Sequence, residues 1–217
     1  MSESKFTIGE AVNFGWNKTK ENAGLLIVVV LITMAVGGFG TLFSRSGAAV
    51  YFINLVVWVV GLFIGIGVIK IMLKIYDGQK PELNLLWSGG PVFVNYLLGS
   101  ILVSLIVLGG LILLVIPGII WSIKYSMTTY LIVDKGMGPT EALRKSGEIT
   151  QGSKWQLFLL GLVLALINMA GALVFVIGLL FTIPLNNLAM AFVYRKLLGQ
   201  APASAPTPTP TPAAPTN

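Results

Sequence analysis

The sequence predicts an all-α polytopic membrane protein, a bundle of six transmembrane helices arranged as three hairpins with cytoplasmic interfacial amphipathic helices. Three observations point there. The first is composition: 217 residues are 55% hydrophobic and only 10% charged, whereas soluble domains carry about 25% charged residues. The second is pattern. The apolar residues form long unbroken runs rather than the alternation of an outer-membrane barrel. The third is where the charges fall relative to those runs.

Six apolar segments can be drawn: 23–43, 48–70, 96–116, 118–133, 155–177 and 179–194. A helix crosses the hydrocarbon core with about 20 residues, which four of the six meet comfortably. The segments 118–133 and 179–194 are short, so each has to run with little tilt or draw flanking residues inward. The turns after the third and fifth segments are placed at Pro117-Gly118 and near Gly178. Residues 1–200 form the membrane domain. The tail 201–217, "APASAPTPTPTPAAPTN", is uncharged and proline-rich, and is expected to be disordered. The first 22 residues are mixed polar and lack the pattern of a cleavable signal, so the first segment is expected to remain as an anchor.

Of the 14 lysines and arginines, 12 fall on one side of this threading. They are Lys5, Lys18 and Lys20; Lys70, Lys74 and Lys80; Lys135, Arg144, Lys145 and Lys154; and Arg195 with Lys196. Arg45 alone falls on the other side, and Lys124 lies inside a segment. The positive-inside rule puts both termini in the cytoplasm of a prokaryotic plasma membrane. The expected partners are the bilayer itself and its anionic head groups on the cytoplasmic side, with a second copy or another membrane protein as an option. Nucleic acid is not expected, because the basic residues flank apolar segments.

The polar stretches between segments carry helical patterns. "GPTEALRKSGEITQGSKW" opens with Gly138-Pro139, pairs Glu141 with Lys145 at i,i+4, and places Ala142, Leu143, Ile149 and Trp155 on an apolar side. "FTIGEAVNFGWNKTKENAGLL" does likewise with Phe6, Ile8, Val12, Phe14 and Trp16. A third candidate is "ELNLLWSGGPVFVNYLL". Each reads as an interfacial helix leading into the membrane.

The chain has no His and no Cys. Thiol nucleophiles, histidine bases and the zinc and haem sites built on those ligands are excluded, and neither metal nor cofactor is expected. No Asp or Glu sits in any segment, which argues against a proton- or sodium-driven carrier. Gly61 and Gly65 make a small-xxx-small face for close helix approach.

The unusual group is Lys124, an ammonium within an apolar segment. Two readings stand beside each other. The side chain can snorkel outward, away from the cytoplasmic side. Alternatively it joins a membrane-embedded polar cluster with Asn168, Asn186 and Asn187, where Pro184 frees a carbonyl near Leu180. Pro117, Gly118 and Pro184 are the expected helix breaks.

Ile116-Pro117-Gly118, Lys124-Tyr125-Ser126, Asp134, Glu141-Ala142-Leu143, Ser146, Gly152 and Trp155-Gln156-Leu157-Phe158 form a recognisable cluster. With "IPLNNLAMAFVYRKLLG" it resembles prokaryotic membrane families of unknown function related to the membrane domain found beside glycerophosphoryl diester phosphodiesterases. The resemblance covers roughly residues 5–198 and implies a helical membrane domain without a settled activity. Such a phosphodiesterase needs metal-binding carboxylates and histidine, and this chain has no histidine and no such domain. The expected function is therefore a non-enzymatic membrane module: a scaffold, a component of envelope or lipid homeostasis, or an accessory to a partner. The alternative is a small transporter or channel with its polar site around Lys124. No catalytic residue is assigned.

Overall fold

The computed structural model describes residues 5–42 and 48–200. Arg45 and the proline-rich tail 201–217 lie outside the described residues. Within them the chain forms helices and turns, with no strand. The helices are α1 (Ile8–Glu21), α2 (Ala23–Leu42), α3 (Ala48–Tyr76), α4 (Phe93–Leu113), α5 (Val115–Lys124), α6 (Thr128–Lys135), α7 (Pro139–Ile149), α8 (Lys154–Leu173) and α9 (Phe175–Leu197).

Two amphipathic helices arise where the polar stretches predict them. Thr7 and Glu10 cap α1 reciprocally: the Thr7 hydroxyl accepts from the Glu10 amide at 3.2 Å, and the Glu10 carboxylate accepts from the Thr7 amide at 3.1 Å. In α7, Pro139 occupies the first turn behind Gly138, where its missing N–H leaves no helix bond unmade. Ala142, Leu143 and Ile149 are buried on one side of α7. The third candidate forms only two short 3-10 turns, Leu83–Trp87 and Gly90–Val92. The expected Glu141–Lys145 pair is replaced. Lys145 and Arg144 both turn to Glu148, each at 3.2 Å.

Four stretches are long and apolar enough to cross a membrane: Val50–Tyr76, Leu83–Leu113, Lys154–Leu173 and Ile177–Leu197. A fifth comes from α2, which follows α1 through a bend of 96°. Since α1 is amphipathic and α2 uniformly apolar, the bend separates a surface-type helix from a candidate span. The fourth expected span differs. Residues 118–133 are not one helix but are divided between α5 and α6, of 10 and 8 residues, by a turn at 125–127.

The expected helix breaks also move. Pro117 and Gly118 lie inside the first turns of α5, and the chain reverses one turn earlier, at Leu114, whose backbone is extended (φ −166°, ψ 146°). As third residue of the helix, Pro117 has no intrahelical acceptor to lose. Gly118 serves close approach: a Cβ there would sit 2.9 Å from the Leu111 amide nitrogen of α4. The reversal between α8 and α9 falls at Val174, ahead of Gly178, which packs on the Gly171 backbone. Pro184 does not break α9, which continues through it. The helix is clamped just beyond: a Cβ on Gly15 of α1 would meet the Leu185 carbonyl at 2.6 Å. Packing of α1 across α9 holds the backbone helical where the proline removes one hydrogen bond.

Burial divides the bundle lengthwise. Ile66 and the 71–76 run of α3, Leu131–Ile132 of α6 and most of the last four turns of α9 are buried together with Phe6, Ala11 and Ala142. The opposite end exposes apolar side chains: Tyr51, Phe52 and Leu55 of α3, Leu105 and Ile112 of α4, Ile116 of α5, and Leu162 and Leu173 of α8. A water-soluble protein does not leave so much contiguous apolar surface uncovered. A lipid-facing surface requires it, because acyl chains are as apolar as leucine. Of the expected small-residue face, Gly65 packs against Tyr96, with a built Cβ 3.1 Å from its hydroxyl, while Gly61 meets nothing within 4 Å.

Candidate functional site

The helix ends at the well-buried end of the bundle place three charges together. α3, α6 and α9 finish in Tyr76-Asp77, Asp134-Lys135 and Tyr194-Arg195-Lys196. The Arg195 side chain, 8% exposed, donates through Nη2 to Asp77 at 2.6 Å and through Nη1 to Asp134 at 3.0 Å. Nη1 also reaches the Gln200 side chain at 2.9 Å. The Tyr194 hydroxyl donates to Asp134 at 2.8 Å, and the Tyr76 hydroxyl to the Gln200 carbonyl at 2.9 Å. Lys135 stands 3.2 Å from Asp134. The arrangement is a guanidinium fork holding two carboxylates from two other helices, the geometry that makes arginine suited to buried pairing. Chemically it is a clasp. Both aspartates are charge-compensated, and Asp134, 13% exposed, is additionally held by a phenol.

Beside the clasp a recess of about 190 Å³ opens between Lys70, Lys74, Leu85 and Arg195. Lys70 does not face into empty space; it donates to the Ser88 carbonyl at 2.6 Å and so ties α3 to the turn Leu83–Trp87.

A second polar assembly sits at the α5–α6 turn. Ending α5 at Lys124 frees its carbonyl, and starting α6 at Thr128 leaves the Met127 amide without a helical partner. Buried Ser146 of α7 satisfies both, donating to the Lys124 carbonyl at 2.9 Å and accepting from the Met127 amide at 3.2 Å. The Thr150 hydroxyl also lies 3.2 Å from that carbonyl. The lysine stem runs over Gly147, where a Cβ would come 2.9 Å from Lys124 Cε. The ammonium rests 5.0 Å from the centre of the Tyr125 ring, a cation–π contact.

Lys124 is therefore associated with α7. The expected cluster with Asn168, Asn186 and Asn187 is not assembled by hydrogen bonds: Asn168 Oδ1 and Asn186 Oδ1 are buried and accept none in the structure. Asn187 is half-buried on α9. The physical reason is the turn at 125–127, which directs the lysine toward α7 instead of continuing the helix past α8 and α9.

Sequence reasoning missed the Arg195 clasp, although a signal existed. Each of the three apolar runs ends in a charge followed within a few residues by glycine: Asp77-Gly78, Asp134-Lys135-Gly136, and Arg195 ahead of Gly199. All three glycines have positive φ, at 70°, 66° and 75°, the left-handed backbone that ends helices. Three helices thus stop in the same manner with a charge at the stop, so that their ends can meet in one layer.

Fold, lipid-type surface and polar helix ends define a helical protein compatible with a membrane. Comparison with known proteins finds similarity to uncharacterised proteins. Residues 97–201 match the family described as "Protein of unknown function (DUF975)". That match contains Lys124, Asp134, Ser146 and Arg195 but not Asp77. Uncharacterized proteins of Mycobacterium bovis and Mycobacterium tuberculosis (strain CDC 1551) are each 23% identical over 231 residues, covering 92% of this chain and 71% of theirs. A further uncharacterized protein from M. tuberculosis strain H37Rv is 22% identical over the same coverage. No solved structure matches. None of these matches carries a phosphodiesterase description, so the relation to the glycerophosphoryl diester phosphodiesterase membrane domain rests on the sequence motifs alone.

Proposed function

We propose that this chain is a multi-pass protein of a prokaryotic cytoplasmic membrane, with the clasped end and both termini in the cytoplasm. Its role is that of a non-enzymatic module that organises membrane or envelope components or supports a partner. The observation that carries this reading is the clasp itself. At the end where charged groups gather, Arg195 and Lys135 together balance the two aspartates, and Arg195 ties α3, α6 and α9 together. Such a group serves to hold helix ends in register; a catalytic acid or base needs a free proton site facing substrate. Orientation is supported by the distribution of lysine and arginine, nearly all of which flank the apolar segments on this side. The exposed apolar end is the surface that lipid or another membrane helix covers.

The test is reconstitution into liposomes followed by assay against glycerophosphodiesters and phospholipid head groups. No hydrolysis above empty liposomes is expected. Turnover that disappears in Asp134→Asn or Lys124→Gln would overturn the reading. One observation favours a second reading, a small transporter: Lys124 opens onto a recess of about 530 Å³. Anion flux across the same liposomes, abolished by Lys124→Gln, would favour it over the module.

A further inference from the structure

Two depressions adjoin at the start of α8 and share Lys154 as a common wall. The first, of about 530 Å³, gathers the cations Lys124, Arg144 and Lys154 around one acidic residue, Glu148. That carboxylate is already occupied, one oxygen by Arg144 and the other by Lys145. Among the described residues, Lys124 and Lys154 pair with no carboxylate. Two ammonium groups from α5 and α8 thus face a shared polar space with a net positive field.

The second depression, of about 380 Å³, is apolar. Ile116, Ile119, Ile120 and Ile123 form one wall. Their spacing of three, one and three residues makes a single stripe along α5. The facing wall is Trp155 and Phe158 of α8, whose rings stack 5.4 Å apart. Trp155 is 70% exposed, so the groove opens sideways. Its isoleucine wall runs from Ile123, next to Lys124, back to the exposed Ile116.

The geometry assigns this composite cleft as a site for one anionic glycerophospholipid, its phosphate between Lys124 and Lys154 and an acyl chain along the α5 isoleucines. This rests on the membrane reading and names a partner for it. The occupant follows from complementarity: an uncompensated pair of ammonium groups calls for an anion, and the apolar groove on the other side of Lys154 calls for a chain. Trp155 lines the apolar part next to Lys154 in sequence, and an amphipathic ring belongs at a head-group boundary. A free phosphate fills only the first part, and a zwitterionic lipid leaves the field unmatched. The Pro-Gly start of α5 contributes by seating that short helix against α4 through Gly110 and Gly118, leaving its isoleucine stripe turned to α8. Ser146 fixes the end of the same helix and so the position of Lys124.

The experiment uses the full chain, delipidated in mild detergent, with native mass spectrometry and thermal denaturation as readouts. The probes are phosphatidylglycerol, phosphatidylcholine and inorganic phosphate. Phosphatidylglycerol is expected to be retained preferentially and to raise the melting temperature. Inorganic phosphate alone should do neither; equal protection by phosphate would overturn the lipid assignment in favour of a free anion. Lys124→Gln/Lys154→Gln should lose the preference by about thirtyfold, from two lysines near a charged head group. Lys124→Arg/Lys154→Arg should restore it. Equal retention of the two lipids by the parent, or an unchanged preference in the glutamine variant, would overturn the site. Should the double variant fail to fold, a phosphatidylglycerol with a photoreactive acyl chain decides on the parent: cross-links on α5 or at Trp155–Phe158 support the cleft, and cross-links only elsewhere refute it. Extraction of the chain from membranes by alkaline carbonate would instead remove the membrane reading, an outcome independent of head-group preference.

Discussion

Replacing Asp134 by alanine is the sharpest perturbation of the clasp. The carboxylate accepts from Arg195 Nη1 at 3.0 Å and from the Tyr194 hydroxyl at 2.8 Å, and its side chain is 13% exposed. A hydrogen bond to a charged group contributes about 1.5–3 kcal/mol net, and removing one partner of a buried pair costs about 3–5 kcal/mol when the other charge is left alone. Here Arg195 keeps Asp77 at 2.6 Å, so the lower part of that range applies. The Lys135 contact adds little, because that lysine is 40% exposed. The expected loss is about 3 kcal/mol. Asp77→Ala should cost less, about 1–2 kcal/mol, since Asp77 is 35% exposed and its place can be taken by water. The assay is SDS-driven unfolding in mixed micelles, followed by tryptophan fluorescence. A triple variant, Arg195→Met with Asp77→Leu and Asp134→Leu, should recover part of the loss, because no unpaired charge remains. Asp134→Ala within about 0.5 kcal/mol of the parent, the range of an ordinary surface change, or Asp77→Ala as the costlier variant, would refute the reasoning.

Other consequences can be measured in parallel. Ser146→Ala leaves the Met127 amide without its hydroxyl acceptor and the Lys124 carbonyl with only the longer Thr150 contact, and should cost about 1–3 kcal/mol in the same unfolding assay. Gly67→Ala drives a methyl into the Leu86 backbone; an overpacking loss of about 1–3 kcal/mol is expected, whereas Gly61→Ala, facing open space, should be close to neutral or mildly stabilising. For orientation, single cysteines at positions 17, 78 and 147 should resist an impermeant thiol reagent in intact cells, while one at position 46 should react; external labelling at 147 would reverse the assignment.

How much was legible in the sequence depended on whether the determining interaction was local. Long apolar runs and a low charge count are properties of the chain itself, and they pointed to helices compatible with a membrane, since backbone polar groups in lipid have to be satisfied within the segment. Local chemistry likewise gave α1 through Thr7 and Glu10, and α7 through Pro139 and its apolar side. Long-range packing decided the rest. Pro117 and Pro184 read as breaks because proline removes a donor. Yet one falls in a first turn where no donor is needed, and the other is clamped by Gly15 of α1. A run of apolar residues from 118 to 133 reads as a span because hydropathy does not register a turn. The hydroxyls that stabilise that turn come from Ser146 and Thr150, about twenty residues further along. Lys124 accordingly points to α7 and not to the asparagines of α8 and α9. Asp77, Asp134 and Arg195 each look like ordinary helix-end charges. Only the tertiary structure brings them within hydrogen-bonding distance, because a charge reveals its partner through distance in space, and 118 residues of chain separate Asp77 from Arg195.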